Sequence, residues 1–70
     1  MGQIHAHISG VVWRIECAVG DEVAAGDTVA VLESMKMEMP VEAEESGRVT
    51  LILCSEGEKV NEGDPLMILE

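Results

Sequence analysis

Lys36 is the residue whose type and surroundings point most directly to chemistry. It lies at the centre of the segment 33–38, which reads Glu-Ser-Met-Lys-Met-Glu, and it is one of only two lysines in the chain. The neutral amine of a lysine can attack an activated acyl group and form an amide. No His, Cys or Ser is evidently placed to activate this amine. The sequence therefore favours modification of Lys36 by another enzyme over self-catalysis.

The segments on either side of Lys36 repeat each other. Residues 6–33 align with residues 43–70 at a constant offset of 37 without a gap, and 12 of the 28 paired positions are identical. Lys36 lies in the segment that connects the two repeats and has no counterpart in either of them. This arrangement suggests that the duplicated scaffold presents the lysine. The identical pairs are Ala6/Ala43, Ser9/Ser46, Gly10/Gly47, Val12/Val49, Ile15/Ile52, Cys17/Cys54, Gly20/Gly57, Val23/Val60, Gly26/Gly63, Asp27/Asp64, Leu32/Leu69 and Glu33/Glu70.

The pattern around Lys36 predicts a hairpin with Met35-Lys36 at its tip. An apolar run ends at Glu33-Ser34, and a second extended stretch begins at Met37. Tight hairpins favour Asn-Gly or Asp-Gly because their central residues often need a positive φ, and Met-Lys lacks that chemistry. A residue choice that contradicts its local geometry is typical of a functional site. The flanking Met35 and Met37 further suggest a surface that a partner protein recognises.

Short β-rich runs alternate with turn residues along the chain, which predicts an all-β fold. The paired glycines 10/47, 20/57 and 26/63 account for six of the seven in the chain. Such pairs predict left-handed φ angles or close backbone approach at turns and bulges. The predicted strands are Ile4–Ile8, Val11–Val19, Val29–Ser34, Met37–Ala43, Gly47–Cys54 and Leu66–Leu69.

The repeat also predicts which side chains face inward. Side chains alternate between the two faces of a strand, yet the shared apolar positions change from an even number, 12, to odd numbers, 15 and 17. The strand should therefore bend or bulge between residues 12 and 15. Trp13 matches the polar Thr50, and we expect it to lean outward at the edge of the sandwich. Each half is too small to bury a sheet face alone. Residues 1–70 are therefore predicted to form a single domain, a pseudo-twofold sandwich or flattened barrel.

Charge and composition restrict the partners of the chain. Its 14 acidic and 4 basic residues give a formal net charge of −10, which argues against binding to nucleic acid or an anionic membrane surface. A weakly basic partner surface fits better. No apolar run approaches the length needed to span a bilayer, and Met1–Ala6 contains no secretory signal pattern. We expect a soluble, cytoplasmic protein.

The remaining reactive side chains are interpreted as structural. Cys17 and Cys54 lie in apolar runs at matching positions of the repeat, which predicts buried free thiols. His5 and His7 share one face of a predicted strand, but no third ligand has suitable spacing, and no metal site is predicted. Lys59 lies outside the motif and is interpreted as solvated charge.

The motif and the glycine turns resemble those of a known family. Segment 33–38 is similar to the Glu-Ala-Met-Lys-Met signature of biotinyl domains in the biotinyl/lipoyl carrier family, and lipoyl domains typically carry Asp-Lys-Ala there. Gly20-Asp21 and Gly26-Asp27 recur as Gly57-Glu58 and Gly63-Asp64, which matches the family's pattern in both halves. The resemblance covers nearly the whole chain and extends to small standalone biotin/lipoyl attachment proteins.

The resemblance implies a fold and an activity. The fold would be a flattened barrel of two four-stranded antiparallel sheets, with both termini at one end and Lys36 on a β-turn at the other. A biotin protein ligase would attach biotin to Lys36 through an amide. The ligase would recognise Met35 and Met37, and Glu33, Ser34 and Glu38 would form the flanking motif. The arm would then carry carboxyl groups between biotin carboxylase and carboxyltransferase sites, while the chain itself catalyses nothing.

Two departures from the family pattern leave alternatives open. Ser34 replaces the usual Ala, and the tight connection Val19–Val23 leaves no room for the protruding "thumb" of some bacterial carriers, which implies a freer arm. This thumbless form could relax the discrimination between biotin and lipoate, so a lipoyl or dual carrier is one alternative. An unmodified β-module used only for assembly is the other, and the Met-Lys turn argues against it.

Overall fold

The computed structural model describes residues 2–70 and consists of eight β-strands. Residue 1, the first of the predicted single domain, lies outside the described residues. Within residues 2–70 no helix is long and apolar enough to cross a membrane. The strands are β1 (Gly2–His5), β2 (Gly10–Ile15), β3 (Glu22–Val23), β4 (Thr28–Ser34), β5 (Met37–Glu42), β6 (Gly47–Ile52), β7 (Lys59–Val60) and β8 (Pro65–Leu69).

The strands form two four-stranded antiparallel sheets that face each other. Sheet 1 has the order β1-β8-β6-β3, and sheet 2 has the order β5-β4-β2-β7. The offset of 37 residues carries β2 onto β6, β3 onto β7 and β4 onto β8, and it carries β1 onto β5. Each sheet is thus the pseudo-twofold image of the other. The predicted all-β sandwich of two four-stranded sheets is confirmed.

Several predicted strands are longer than the observed ones. Val11–Val19 and Gly47–Cys54 were expected as single strands, but β2 ends at Ile15 and β6 at Ile52, and β1 ends at His5 rather than Ile8. Beyond these ends, Ile8, Cys17 and Cys54 still pack on the core. Val19 and Leu53, in the same predicted strands, are exposed. Neither β3 nor β7 was predicted, because a strand of two residues is too short to show an alternating pattern of apolar and polar residues.

The predicted bend in the first half is a β-bulge, and the second half repeats it. The pairing of β2 with β4 shifts register between Val12 and Arg14, and the pairing of β6 with β8 shifts between Val49 and Leu51. One extra residue at each point reverses which side chains face inward. The bulge turns Trp13 outward as expected, since 43% of its side chain is exposed.

The core lies between the two sheets and is built from matched residues of both halves. Its buried members are all apolar. Burying a Val or Leu side chain contributes roughly 1.5–3 kcal/mol, so contributions from both sheets make the two halves depend on each other. The largest fully buried side chains are Leu32, Leu66, Met67, Val12, Val29 and Val49.

Four turns of one design connect the strands. Each has a glycine with a positive φ near 90°, followed by an acidic residue whose carboxylate accepts a 2.9 Å hydrogen bond from the backbone N–H three residues earlier. The left-handed φ explains why these glycines are duplicated. The turns centre on Gly20-Asp21, Gly26-Asp27, Gly57-Glu58 and Gly63-Asp64.

The β4–β5 hairpin and the chain termini lie at opposite ends of the sandwich. The N–H of Gly20 donates to the carbonyl of Val49 at 2.7 Å, so the loop leaving β2 arrives beside the start of β6. In the matching contact, the N–H of Gly57 donates to the carbonyl of Val12 at 2.7 Å, which brings the loop leaving β6 to the start of β2. The hairpin adjoins the start of β2, and Gly2 and Leu69 adjoin the start of β6.

Candidate functional site

Lys36 lies in a two-residue turn at the tip of the β4–β5 hairpin, as predicted. The last pair of the ladder is Ser34 with Met37, and Met35 and Lys36 connect them. Both turn residues have positive φ angles, 52° for Met35 and 66° for Lys36. Left-handed backbone costs an L-residue other than glycine about 1–2 kcal/mol. The turn therefore keeps Met and Lys at a cost in local stability, which is typical of functional sites.

The side chains at the tip project into solvent. The exposed fraction is 92% for Met35 and 63% for Met37, and Lys36 is also exposed. None of the side-chain hydrogen bonds within residues 2–70 involves the Lys36 amine. Two shallow depressions of about 400 Å³ both border Glu22 and Val23, away from the hairpin. The amine is therefore presented on a protrusion, within reach of a macromolecule.

The flanking residues of the motif form the stem of the hairpin. Glu33 lies directly opposite Glu38, and both carboxylates are exposed. Ser34 is half-buried opposite Met37. The structure thus brings all six residues of segment 33–38 together in one protrusion.

The second half of the chain, residues 43–70, lacks the hairpin and shows which features are particular to its stem. Glu70, the equivalent of Glu33, exchanges two 2.9 Å backbone hydrogen bonds with Arg48 and so has an arginine in register beside it. The residue in register with Glu33 on β2 is Val11, which is 38% exposed. The hairpin-bearing half therefore places an apolar side chain where the other half has a cation.

Gly10 contacts the hairpin where strand pairing ends. A Cβ atom added to Gly10 would lie 2.5 Å from the carbonyl oxygen of Glu33, 3.3 Å from the carbonyl carbon and 3.5 Å from Cβ of Ser34. The sequence predicted close backbone approach at the Gly10/Gly47 pair, and this is confirmed. It did not show that the neighbour of Gly10 is the hairpin itself. The signal was the glycine pair, but the contact depends on the register between β2 and β4.

The two cysteines are free thiols that pack in the core, as predicted. Cys54 is buried and Cys17 is half-buried, with its Sγ 3.4 Å from Sδ of Met67. Burial raises the pKa of the Cys17 thiol, and the nearby Asp21 carboxylate and Cys54 add to the increase. Burial also raises the pKa of Cys54, with a further contribution from Glu58. Both thiols are therefore poor nucleophiles near neutral pH.

The other polar candidates are solvated. His5 and His7 are exposed, and Nε2 of His5 shares a 2.9 Å hydrogen bond with Oε1 of Gln3. No group of three or more His, Cys, Asp or Glu side chains within residues 2–70 is placed to hold a metal ion. Lys59 is exposed on β7, in register with Val11. The guanidinium of Arg14 lies 4.8 Å from the centroid of the Trp13 ring, a cation–π contact on the outer face of sheet 2.

A sandwich of two duplicated sheets with an exposed lysine on a tight turn defines a carrier-type domain. Residues 1–69 match the family model described as "Biotin-requiring enzyme", and the chain belongs to this biotin/lipoyl family.

Relatives of known identity cover parts of the chain. The Biotin/lipoyl attachment protein of Bacillus subtilis is 42% identical over 44 residues, which are 63% of this chain and 60% of that protein. Pyruvate carboxylase of Aspergillus niger is 50% identical over 46 residues, which are 66% of this chain but 4% of the enzyme. The chain thus spans less than two thirds of either relative.

Solved structures agree on the fold. The urea carboxylase of Kluyveromyces lactis contains a region of 39% identity that superposes with a TM-score of 0.92 and covers 99% of this chain and 6% of that enzyme. A single-chain, multi-domain long-chain acyl-CoA carboxylase gives a TM-score of 0.88 at 32% identity, covering 94% of this chain and 7% of the enzyme. The chain is a biotin carboxyl carrier-like domain, similar to those within biotin-dependent carboxylases.

Proposed function

We propose that a biotin protein ligase biotinylates Lys36 and that the chain then serves as a carboxyl carrier. The observation that carries this proposal is the exposed amine on a turn whose two residues both have left-handed backbone. The residues present fit the group, because covalent attachment requires only a primary amine that a second enzyme can reach. Met35 and Met37 offer that enzyme two flexible apolar contacts.

Lys36 acts as the nucleophile in the attachment step. Its neutral Nζ would attack the carboxyl carbon of an activated biotin that the ligase supplies. The carbon–nitrogen amide bond would form, the bond to the activating group would break, and that group would leave with the electron pair. The amine would give up a proton to a base of the ligase or to water. The chain contributes no base of its own near Lys36, so the ligase provides the activation.

The chain itself contributes presentation rather than catalysis. Attached biotin supplies a ureido nitrogen that can carry a carboxyl group from a biotin carboxylase site to a carboxyltransferase site. Because the hairpin protrudes, an arm on Lys36 can enter active sites that the body of the domain does not. Tethering makes each delivery intramolecular, so that an effective concentration replaces free diffusion. We also propose that the protein acts in the cytoplasm, together with the ligase.

Lipoylation of the same lysine is the second candidate function. It is supported by the similarity to a protein whose name includes both groups, the Biotin/lipoyl attachment protein of Bacillus subtilis. Met35 before the lysine favours biotin, since lipoyl domains typically carry Asp at that position. The thumbless connection between β2 and β3 also supports tolerance of either group, because no segment there encloses the arm.

Intact-mass measurement of the protein from its own host tests the proposal. We expect the mass of a biotinyl amide on Lys36, located by peptide mapping. A lipoyl amide would instead support the second candidate, and an unmodified chain would support a module used only for assembly. The matched control is Lys59→Arg, which should keep the adduct, while Lys36→Arg should lose it with the fold intact. An adduct on Lys59, or none on Lys36, would refute the proposal.

A further inference from the structure

We propose that Gly10 is a positioning residue for the Lys36 amine: it lets β2 contact the hairpin closely enough to fix the direction of the turn. This inference rests on the proposed modification of Lys36 and concerns a residue outside the motif. Gly10 touches neither the amine nor the acyl group. It acts through the backbone of Glu33 and Ser34.

Space, rather than backbone conformation, requires glycine at position 10. Within residues 2–70 the positive φ angles belong to Met35, Lys36 and the four turn glycines. An added Cβ at each of these glycines would have nothing within 4 Å. Gly10 shows the opposite combination. Its φ is one that other residues adopt, but an added Cβ would lie 2.5 Å from a backbone oxygen that cannot rotate away. A substitution there must displace the hairpin or β2.

The hairpin is sensitive to such a displacement because it projects beyond its support. Pairing between β2 and β4 ends at Val11 with Glu33, so Ser34 and the turn extend past the last pair. Gly10 is the next residue of β2, and its other side pairs with Val60 of β7. It therefore joins β7 to the base of the hairpin. A shift of the Glu33 carbonyl is transmitted to a turn whose two left-handed residues tolerate little change in φ.

Gly47 provides a matched control at the opposite end of the molecule. It is the duplicate of Gly10, and an added Cβ would lie 3.2 Å from the carbonyl oxygen of Glu70. The same substitution thus meets the same type of neighbour, with a looser fit and with no hairpin above it. An effect confined to Gly10→Ala reports on the hairpin rather than on the scaffold.

The experiment compares Gly10→Ala, Gly47→Ala and the wild-type apo protein as substrates of a biotin protein ligase with biotin and ATP. We expect kcat/KM for acylation of Lys36 to fall about tenfold or more for Gly10→Ala, mainly through kcat. A misplacement of ~1 Å in a reacting group can lower a rate about 100-fold. Gly47→Ala should stay within about twofold of wild type. Amide hydrogen exchange should accelerate across residues 33–38 in Gly10→Ala alone. A purely structural role would not produce this local signature.

Each outcome decides one question. Equal kcat/KM for the two variants, with wild type acylated normally, would overturn the role of Gly10 and leave the proposed function intact. Failure of wild type to be acylated would instead overturn the proposed function. If Gly10→Ala melts below the assay temperature, all three proteins are compared in concentrated sucrose, which favours the folded state. A loss of exchange protection spread over the whole chain there would also count against positioning.

Discussion

Glu33 and Glu38 lie directly opposite each other on β4 and β5, with both carboxylates exposed beneath the turn that bears Lys36. Like charges in this arrangement destabilise a strand pair. The second half of the chain differs, because Glu70 has Arg48 in register beside it, whereas Glu33 has Val11. The hairpin therefore combines two unfavourable features, a carboxylate pair and a left-handed turn, at the site of the proposed modification.

Replacing Val11 by arginine should stabilise the fold when Lys59 is replaced by alanine in all the proteins compared. Lys59 lies in register with Val11 on β7 and would otherwise repel the new cation. The change places a cation beside Glu33, as Arg48 lies beside Glu70, so we expect a gain of about 0.2–1 kcal/mol in the free energy of unfolding. Urea denaturation in low salt measures it, and the gain should shrink in 1 M salt because the charges are exposed. Leu51→Arg is the control, since Leu51 lies in register with the uncharged Ile68. An equal gain in both variants would contradict the explanation.

Replacing Met35 by asparagine should separate stability from modification. Asparagine adopts left-handed backbone more readily than methionine, so the free energy of unfolding should rise by about 1 kcal/mol. Acylation of Lys36 by the ligase should fall, because the exposed thioether is lost. Met37→Asn is the control for stability, since Met37 does not have a positive φ. A Met35→Asn protein less stable than wild type would disprove the assignment of strain to this turn.

Alanine at the turn glycines should be more costly than asparagine. At Gly57 (φ 89°) and Gly63 (φ 91°) we expect Gly→Ala to lower the free energy of unfolding by about 1–2 kcal/mol and Gly→Asn to lower it less. The space around these positions is open, so the backbone angle alone produces the cost. Thermal denaturation of both pairs of variants checks the order. Equal losses for Ala and Asn would show that the angle is not the cause.

Stability should fall at alkaline pH because the two thiols ionise less readily in the folded state. Burial is the main cause that raises the pKa values of the Cys17 and Cys54 thiols above their ordinary range. A raised folded-state pKa gives a contribution that is complete below about pH 9 and is lost as pH rises through the folded values. Urea denaturation from pH 7 to 10.5 measures the fall, which the chain's lack of tyrosine simplifies. Cys17→Val with Cys54→Val should reduce the slope; an unchanged slope would exclude the thiols.

Much of the fold could be predicted from the duplication. The two sheets, the bulge beside Trp13 and the role of the paired glycines all follow from residues that recur at one offset. The strands β3 and β7 could not be predicted, because two residues such as Glu22-Val23 carry no periodic signal. The loops after Ile15 and Ile52 were also misread as strand, since their cysteines face the same core as the strands do.

The hairpin was predictable because its sequence conflicts with its geometry. Met35-Lys36 stood out as a poor turn, and the positive φ angles show the conflict directly. The alignment of the two halves already pairs Val11 with Arg48. The sequence alone does not show that these residues lie beside Glu33 and Glu70, because that depends on the register of the strands. The contact of Gly10 with the hairpin likewise depends on three-dimensional distance. The assignment of Lys36 and its neighbours as the attachment site remains a prediction.

The placement of the two termini has a practical consequence. Gly2 pairs with Leu69 in neighbouring strands, at the end of the sandwich opposite Lys36. A polypeptide joined to either terminus would therefore extend away from the lysine. An affinity tag, a reporter or a whole enzyme could be fused there without shielding the amine. The same domain could be anchored to a bead or a chip by one terminus and still offer its acceptor lysine to the surrounding solution.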